Sequence, residues 1–273
     1  MRKMLFVGWV LVLLWVGMGD LRAEQAAGQA HHEQELAKKT QNPVSDLISI
    51  PFQNNFNFGA GPDDEMQYIL NVQPVYPMGL TENWNLIHRV ILPIIANPSA
   101  LGGEAGLGDL QYQGFFSPSK PGKLIWGIGP ILGLPTATDD TLGYGRWTAG
   151  PAAVALTMRG PWVVGALVNH QWDYAGWTDR HVSLILIQPF INYNLPRGWY
   201  VNSVPIMTAD WERESGDEWL VPLGAGVGKL QRFGRLPVNL QLGAYANVER
   251  PENAPDWQLR FQAQFLFPKE MLE

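Results

Sequence analysis

From Ile48 onward the chain reads as twelve segments of ten to fourteen residues, divided by connectors that are short and long in turn. The segments are 48–59, 66–77, 84–96, 108–117, 123–136, 146–158, 161–173, 181–194, 199–211, 218–230, 236–248 and 257–267. In the last of them Leu259, Phe261, Ala263, Phe265 and Phe267 alternate with Gln258, Arg260, Gln262 and Gln264. That is a strand with one apolar and one wet face. Strands of globular sheets run to roughly five or six residues, whereas a tilted strand that crosses a bilayer needs about nine to eleven. One set of connectors is short and often basic ("GLTEN", "PSKPG", "RG", "PRG", "QRFGR"). The other is longer and acidic ("AGPDDE", "NPSALGGEAGL", "ATDDTLGYG", "YAGWTDR", "ERESGD", "ERPENAPD"). A barrel with both ends in the periplasm has tight periplasmic turns and longer outer loops. A soluble sandwich has no reason for the alternation. The expected fold is therefore all-β: a transmembrane antiparallel up-and-down barrel of about twelve strands with a short N-terminal helical or irregular extension.

Tryptophan points the same way. Trp84, Trp126, Trp162 and Trp199 sit at segment starts beside short connectors, and Trp147, Trp172, Trp211, Trp219 and Trp257 at segment ends beside long ones. Indole rings gather at both membrane–water interfaces, because one edge is apolar and the other donates a hydrogen bond. Prolines argue the other way. Pro74, Pro93, Pro130, Pro151, Pro189, Pro205 and Pro222 fall inside predicted strands, where each removes a ladder donor.

The N-terminus, "MRKMLFVGWVLVLLWVGMGDLRAEQ", has a basic start and an apolar run from Met4 to Gly19. The run is shorter than the ~20 residues of a membrane-spanning helix, which predicts a cleaved signal over 1–23 and export to the outer membrane. Residues 24–47 read as a periplasmic extension, 48–267 as the barrel and 268–273 as a tail. The chain has no cysteine among its 273 residues, which removes disulfides, thiolate metal sites and a lipid anchor on cysteine. A formal charge of -6 without a basic stripe excludes a nucleic-acid partner. The expected partners are outer-membrane lipid, the barrel-assembly machinery, which reads an aromatic-ended last strand, and a small solute.

The wet faces are dominated by amides. Asn57, Asn71, Arg89, Gln113, Asn169, Asn202, Gln241 and Arg260 are the expected lumen-lining residues. Uncharged amides bond water or solute without a strong ionic field, and ion-selective pores usually carry rings of one charge sign. Two readings stay open: a pore for neutral or weakly polar molecules, and amides that bond one another and fill a narrow barrel.

Other motifs carry less. "GAGVGK" at 224–229 lacks the first Gly and the Ser or Thr of a phosphate loop, since Leu223 and Leu230 stand there. Gly224, Gly226 and Gly228 share one strand face and suit a close-packed lumen wall. His181 and Ser183, two apart on one face, match the His-x-Ser pair of outer-membrane phospholipases, a base beside a nucleophile. The flanking sequence does not continue that motif. His31 and His32 have no third ligand at suitable spacing. No metal, cofactor or enzymatic activity is expected.

Several phrases, among them "ELAKKTQNPVSDLISIPFQNNFNFG", "GLGDLQYQGFFSPSKPG", "IWGIGPILGLPTATD", "GPWVVGALVNHQW", "LIQPFINYNLPRGWY" and "DWQLRFQAQFLFPK", resemble a bacterial outer-membrane family. Its members are labelled transporters of the meta-pathway of phenol degradation and are sometimes mislabelled neuromedin U. The resemblance spans nearly all of the chain after the signal and includes the in-strand prolines. It implies a barrel distantly similar to hydrophobic-compound channels such as the fatty-acid transporter. The expected function is passive passage of small neutral or hydrophobic organic molecules. The alternatives are a lipase- or esterase-like barrel enzyme using His181 and Ser183, and a structural or surface-binding β protein.

Overall fold

The computed structural model describes Gly28 and residues 33–267. The signal segment, His31, His32 and the tail from 268 onward lie outside the described residues. A helix, α1, covers residues 33–40. The strands that follow are β1 (Ile48–Ala60), β2 (Glu65–Val72), β3 (Val75–Gly79), β4 (Trp84–Ala96), β5 (Ala105–Leu107), β6 (Leu110–Pro118), β7 (Leu124–Leu134) and β8 (Arg146–Arg159). Then come β9 (Trp162–Gly176), β10 (Ser183–Asn194), β11 (Trp199–Ser203), β12 (Met207–Asp210), β13 (Trp219–Phe233), β14 (Leu236–Glu249) and β15 (Trp257–Phe267).

All pair antiparallel in one sheet, and the sheet closes on itself. β15 lies along β1 from Ile48 opposite Phe267 to Phe58 opposite Trp257. The fifteen strands make twelve staves because β2–β3, β5–β6 and β11–β12 are each one stave with a break. A closed barrel replaces the two packed sheets of a sandwich, so the surface-binding sandwich is set aside.

Prolines account for two of the three breaks and for a register shift. Pro74 separates β2 from β3, Pro205 separates β11 from β12, and Pro222 sits at a register shift between β13 and β14. Pro130 and Pro151 face each other across β7 and β8. Beside them the ladder skips a rung on each outer side, at Gly114 and Phe115 of β6 and at His170 and Gln171 of β9. Putting both missing donors on one rung confines the damage to a single level of the wall. The backbones close up there. A Cβ on Gly129 would overlap the Gly114 carbonyl oxygen, and one on Gly150 the His170 carbonyl oxygen.

The outer face is apolar all the way round. Leu124, Ile128, Leu132, Val164, Val168, Ile191, Val201, Leu223, Val227, Leu242 and Phe261 point outward and are exposed. Soluble monomers confine such patches to a few hundred Å², so this belt is a lipid-facing surface. The tryptophans bound it at both ends. Trp84 meets Trp126 edge-on at 5.9 Å at the short-turn end, and Trp211 meets Trp219 at 5.7 Å at the long-loop end. Polar side chains on the outer face are bonded within the protein. Tyr68 donates to Asn54 at 2.7 Å, His88 pairs with Tyr112 at 2.9 Å, and Ser203 donates to the Gly224 carbonyl at 2.7 Å. Hydrocarbon offers no other partner.

Inside, the two halves differ. Staves β14, β15, β1 and β2 turn amides inward. Staves β6–β10 bury Phe115, Ile131, Ala152, Val154, Leu156, Val163, Leu167 and Phe190 around Ile87. On these staves inward apolar side chains outnumber the inward amides, such as Gln113, Asn169 and Asn192, so a wall lined mainly by amides covers only part of the circumference.

The extension fills the short-turn mouth. Val44 reaches into the apolar half, is 6% exposed, and packs against Phe115 and Phe190. Leu36 and Ala37 of α1 pack with Leu230 and Leu266. Gln41 and Asn194 exchange two amide bonds, Gln41 Nε2 to Asn194 Oδ1 at 2.9 Å and Asn194 Nδ2 to Gln41 Oε1 at 3.0 Å.

Two outcomes test this account. Gly129→Ala or Gly150→Ala should destabilise the barrel by about 2 kcal/mol or more, because the new methyl meets backbone rather than a flexible side chain. Heat-modifiable gel migration should show unfolding at a lower temperature for either variant. Val44→Asp should loosen the extension while the barrel stays closed, and protease should then cut residues 33–47 faster than in the parent.

Candidate functional site

Strand alternation decides which residues can touch a solute. The register turns all eight expected lumen residues to the inside: Asn57, Asn71, Arg89, Gln113, Asn169, Asn202, Gln241 and Arg260. They do not form one ring. Two cavities lie along the lumen, and the eight divide between them and the wall.

The cavity at the short-turn end has a volume of about 150 Å³. Its lining includes Arg89, Asn202, Gln241 and Arg260, with Thr40 to Pro43 of the extension as one side. The cavity at the long-loop end is about 170 Å³ and is lined by Asp109, Gln111, Arg146, Thr148, Gln171 and Tyr144, among others. Neither includes Asn57, Asn71, Gln113 or Asn169. Asn57 bonds Gln67 at 3.1 Å and accepts from Gln258 at 2.8 Å, so it belongs to an amide network in the wall. Gln113 and Asn169 are buried, and Gln113 Oε1 and both polar atoms of the Asn169 side chain meet no partner among the described residues. A buried amide left unbonded is costly, which makes these groups candidates for a passing solute or water.

The amide-rich half carries several short chains of polar bonds. Gln73 donates to Gln53 at 2.6 Å, Asn239 to Gln264 at 3.3 Å, and Gln264 to Ser49 at 3.2 Å. Tyr200 donates to Asn239 at 2.9 Å and lies over Gly228, where a Cβ would overlap its ring. The glycines of "GAGVGK" make room for lumen side chains: Tyr200 sits on Gly228 and the Asn202 amide on Gly226. Alternation alone did not single out Tyr200, Phe190, Gln41 or Asn194. The usable signal for Tyr200 was its place opposite a glycine.

The two lumen arginines are held differently. Arg260 is buried, donates to Asn55, to Gln258 and to the Val204 carbonyl, and stands 4.7 Å over the Tyr245 ring. Arg89 is half-buried and donates to Gln73 at 2.6 Å. Neither makes an ion pair among the described residues.

The long-loop mouth is covered by the connector between β7 and β8. Leu142 is 5% exposed, and Asp109 accepts from the backbone N–H of Ala137 at 3.1 Å and of Tyr144 at 2.7 Å. Arg146 forms an ion pair with Asp173 below the connector. Within the connector, Asp139 accepts from the N–H and hydroxyl of Thr141, which hold its carboxyl below the usual range.

The expected His181–Ser183 pair is not a hydrogen-bonded unit. β10 begins only at Ser183. Ser183 bonds His170 on the neighbouring strand at 3.2 Å, and His181 lies 3.4 Å from Asp173. His170 stacks on Trp172 with ring centroids 4.1 Å apart. The Ser183–His170 contact follows the pattern of the other outward polar groups, each satisfied by a neighbour.

No family model matches the chain, and no curated protein matches it. Solved structures do. An outer membrane channel from Pseudomonas putida F1 is 18% identical over 81% of this chain and 94% of its own, with a TM-score of 0.60. LpxR from Salmonella typhimurium is 10% identical over 80% of this chain and 100% of its own, with a TM-score of 0.40. CdiB from Acinetobacter baumannii is 11% identical over 81% of this chain and 60% of its own, with a TM-score of 0.35. The first of these likenesses establishes the architecture: this chain folds as a transmembrane β-barrel of the kind seen in that channel.

Proposed function

We propose that the protein is an outer-membrane channel through which small organic molecules move down their gradients. The observation that carries this reading is the pairing of a belted apolar exterior with two cavities inside one closed wall. In this reading the short-turn end, with both barrel ends and the extension, faces the periplasm, and the acidic loops face outward. Asn57, Asn71, Arg89, Gln113, Asn169, Asn202, Gln241 and Arg260 line the path or its walls. The lumen presents apolar side chains on one side and amides on the other, which suits a solute with an apolar body and a polar end. The resemblance to the phenol-degradation family fits an aromatic body. The likeness to the Pseudomonas putida channel supports passage rather than catalysis. Passage needs no cofactor.

A lipase-like reading has little to stand on. Ser183 and His170 face lipid, and no third group orients the imidazole among the described hydrogen bonds.

Both mouths are covered, by the extension and by the β7–β8 connector, so the parent channel should admit solutes slowly. In liposome swelling, arabinose and catechol should enter faster than into protein-free vesicles, and raffinose should not. Removing residues 33–46 should raise the rate for both small solutes several-fold. The channel reading falls if neither form exceeds empty vesicles.

A further inference from the structure

The short-turn cavity holds an electrostatic imbalance. Arg89 and Arg260 both line it, and every other group in its wall is neutral. Among the described residues no Asp or Glu lies within ion-pair distance of either guanidinium. A guanidinium has five N–H donors. Arg89 uses one of them, on Gln73, and Arg260 uses three, on Asn55, Gln258 and the Val204 carbonyl. The remaining donors have no protein acceptor among the described residues. Drawing a cation out of water without an anion beside it is unfavourable, and amide oxygens offset only part of that. Folded proteins keep such an imbalance where something else completes it.

We infer that this cavity is a binding site for a small organic monocarboxylate, held through Arg89 and Arg260. This deepens the channel reading, on which it rests only for what happens to the solute after binding. A planar carboxylate accepts paired N–H bonds from a guanidinium fork, and such charge-assisted bonds are about twice as strong as neutral ones. The rest of the lining suits the body of the molecule. Phe190, Tyr200, Val75 and Val204 offer apolar surface, and Gln41 and Asn42 of the extension close the cavity on the mouth side. The amides of Gln241, Gln262 and Gln264 add donors without adding charge. The expectation of a neutral or weakly polar solute follows from the amide majority; it includes Arg89 and Arg260 as lumen residues, but each is a single charge among many amides in the sequence. Only the barrel brings them to one cavity.

The test uses the full-length protein in detergent, in a chloride-free buffer, with benzoate as the probe and benzamide as its neutral isostere. Calorimetry should show benzoate binding at least roughly ten-fold more tightly than benzamide. Arg89→Gln and Arg260→Gln should each weaken benzoate by about ten- to hundred-fold and benzamide by no more than about two- to three-fold, since a carbonyl gains less from a guanidinium than a carboxylate does. Because Arg260→Gln removes wall bonds and can fail to fold, Gln73→Glu serves as an independent variant. It places a carboxylate where Gln73 Oε1 accepts from Arg89, so it should abolish benzoate binding and raise the temperature of heat-modifiable migration. Equal binding of benzoate and benzamide, unchanged benzoate affinity in the folded variants, or displacement of benzoate by equimolar chloride would each overturn the monocarboxylate site. Benzoate binding in a protein that passes no solute in the swelling assay would uphold this site while the channel reading failed.

Discussion

The structure depends on one seam. In hydrocarbon every backbone N–H and C=O must be satisfied within the protein, so a sheet survives there only if its first and last strands meet. β1 and β15 do so along their whole length, from Ile48 against Phe267 to Phe58 stacked on Trp257. Closure fixes which face is out, and that in turn puts the tryptophans at the two rims and the amides inside. The same rule reaches the small exceptions. Asn54, His88, Ser183 and Ser203 face outward and each finds its partner in a neighbouring strand.

The interior follows a different logic, because no single solvent fills it. On β14, β15, β1 and β2 the inward groups bond one another in chains, so the wall stiffens itself. On β6–β9 apolar side chains such as Phe115, Val154 and Leu167 alternate inward with a few polar ones, Gln113, Thr148, Asn169 and Gln171 among them. Val44 of the extension occupies that apolar half, whereas the arginines stay on the polar one. The extension therefore works as a core residue for one half of the barrel and as a cavity wall for the other.

How much of this could be read from the sequence varies with the range of the contacts. Strand number, loop rhythm and the outward placing of Trp84, Trp172 or Trp257 are local and periodic, and alternation displays them. The inward direction of Asn202 or Gln241 is equally local. What alternation does not carry is which inward residues meet. Pro130 and Pro151 looked like two separate defects until the register set them opposite each other. Tyr200 over Gly228 and Arg89 beside Arg260's cavity depend on neighbours far apart in the chain. His181 and Ser183 show the reverse error: two residues close in sequence whose partners, Asp173 and His170, lie on another strand.

The bond between Gln41 and Asn194 has a consequence of its own. It is made by two neutral amides, each donor and acceptor to the other, with no titrating group and no net charge. A latch held by an ion pair would slacken in brine and respond to acid. This one is blind to both. At the short-turn mouth such a bond keeps the same grip at any ionic strength.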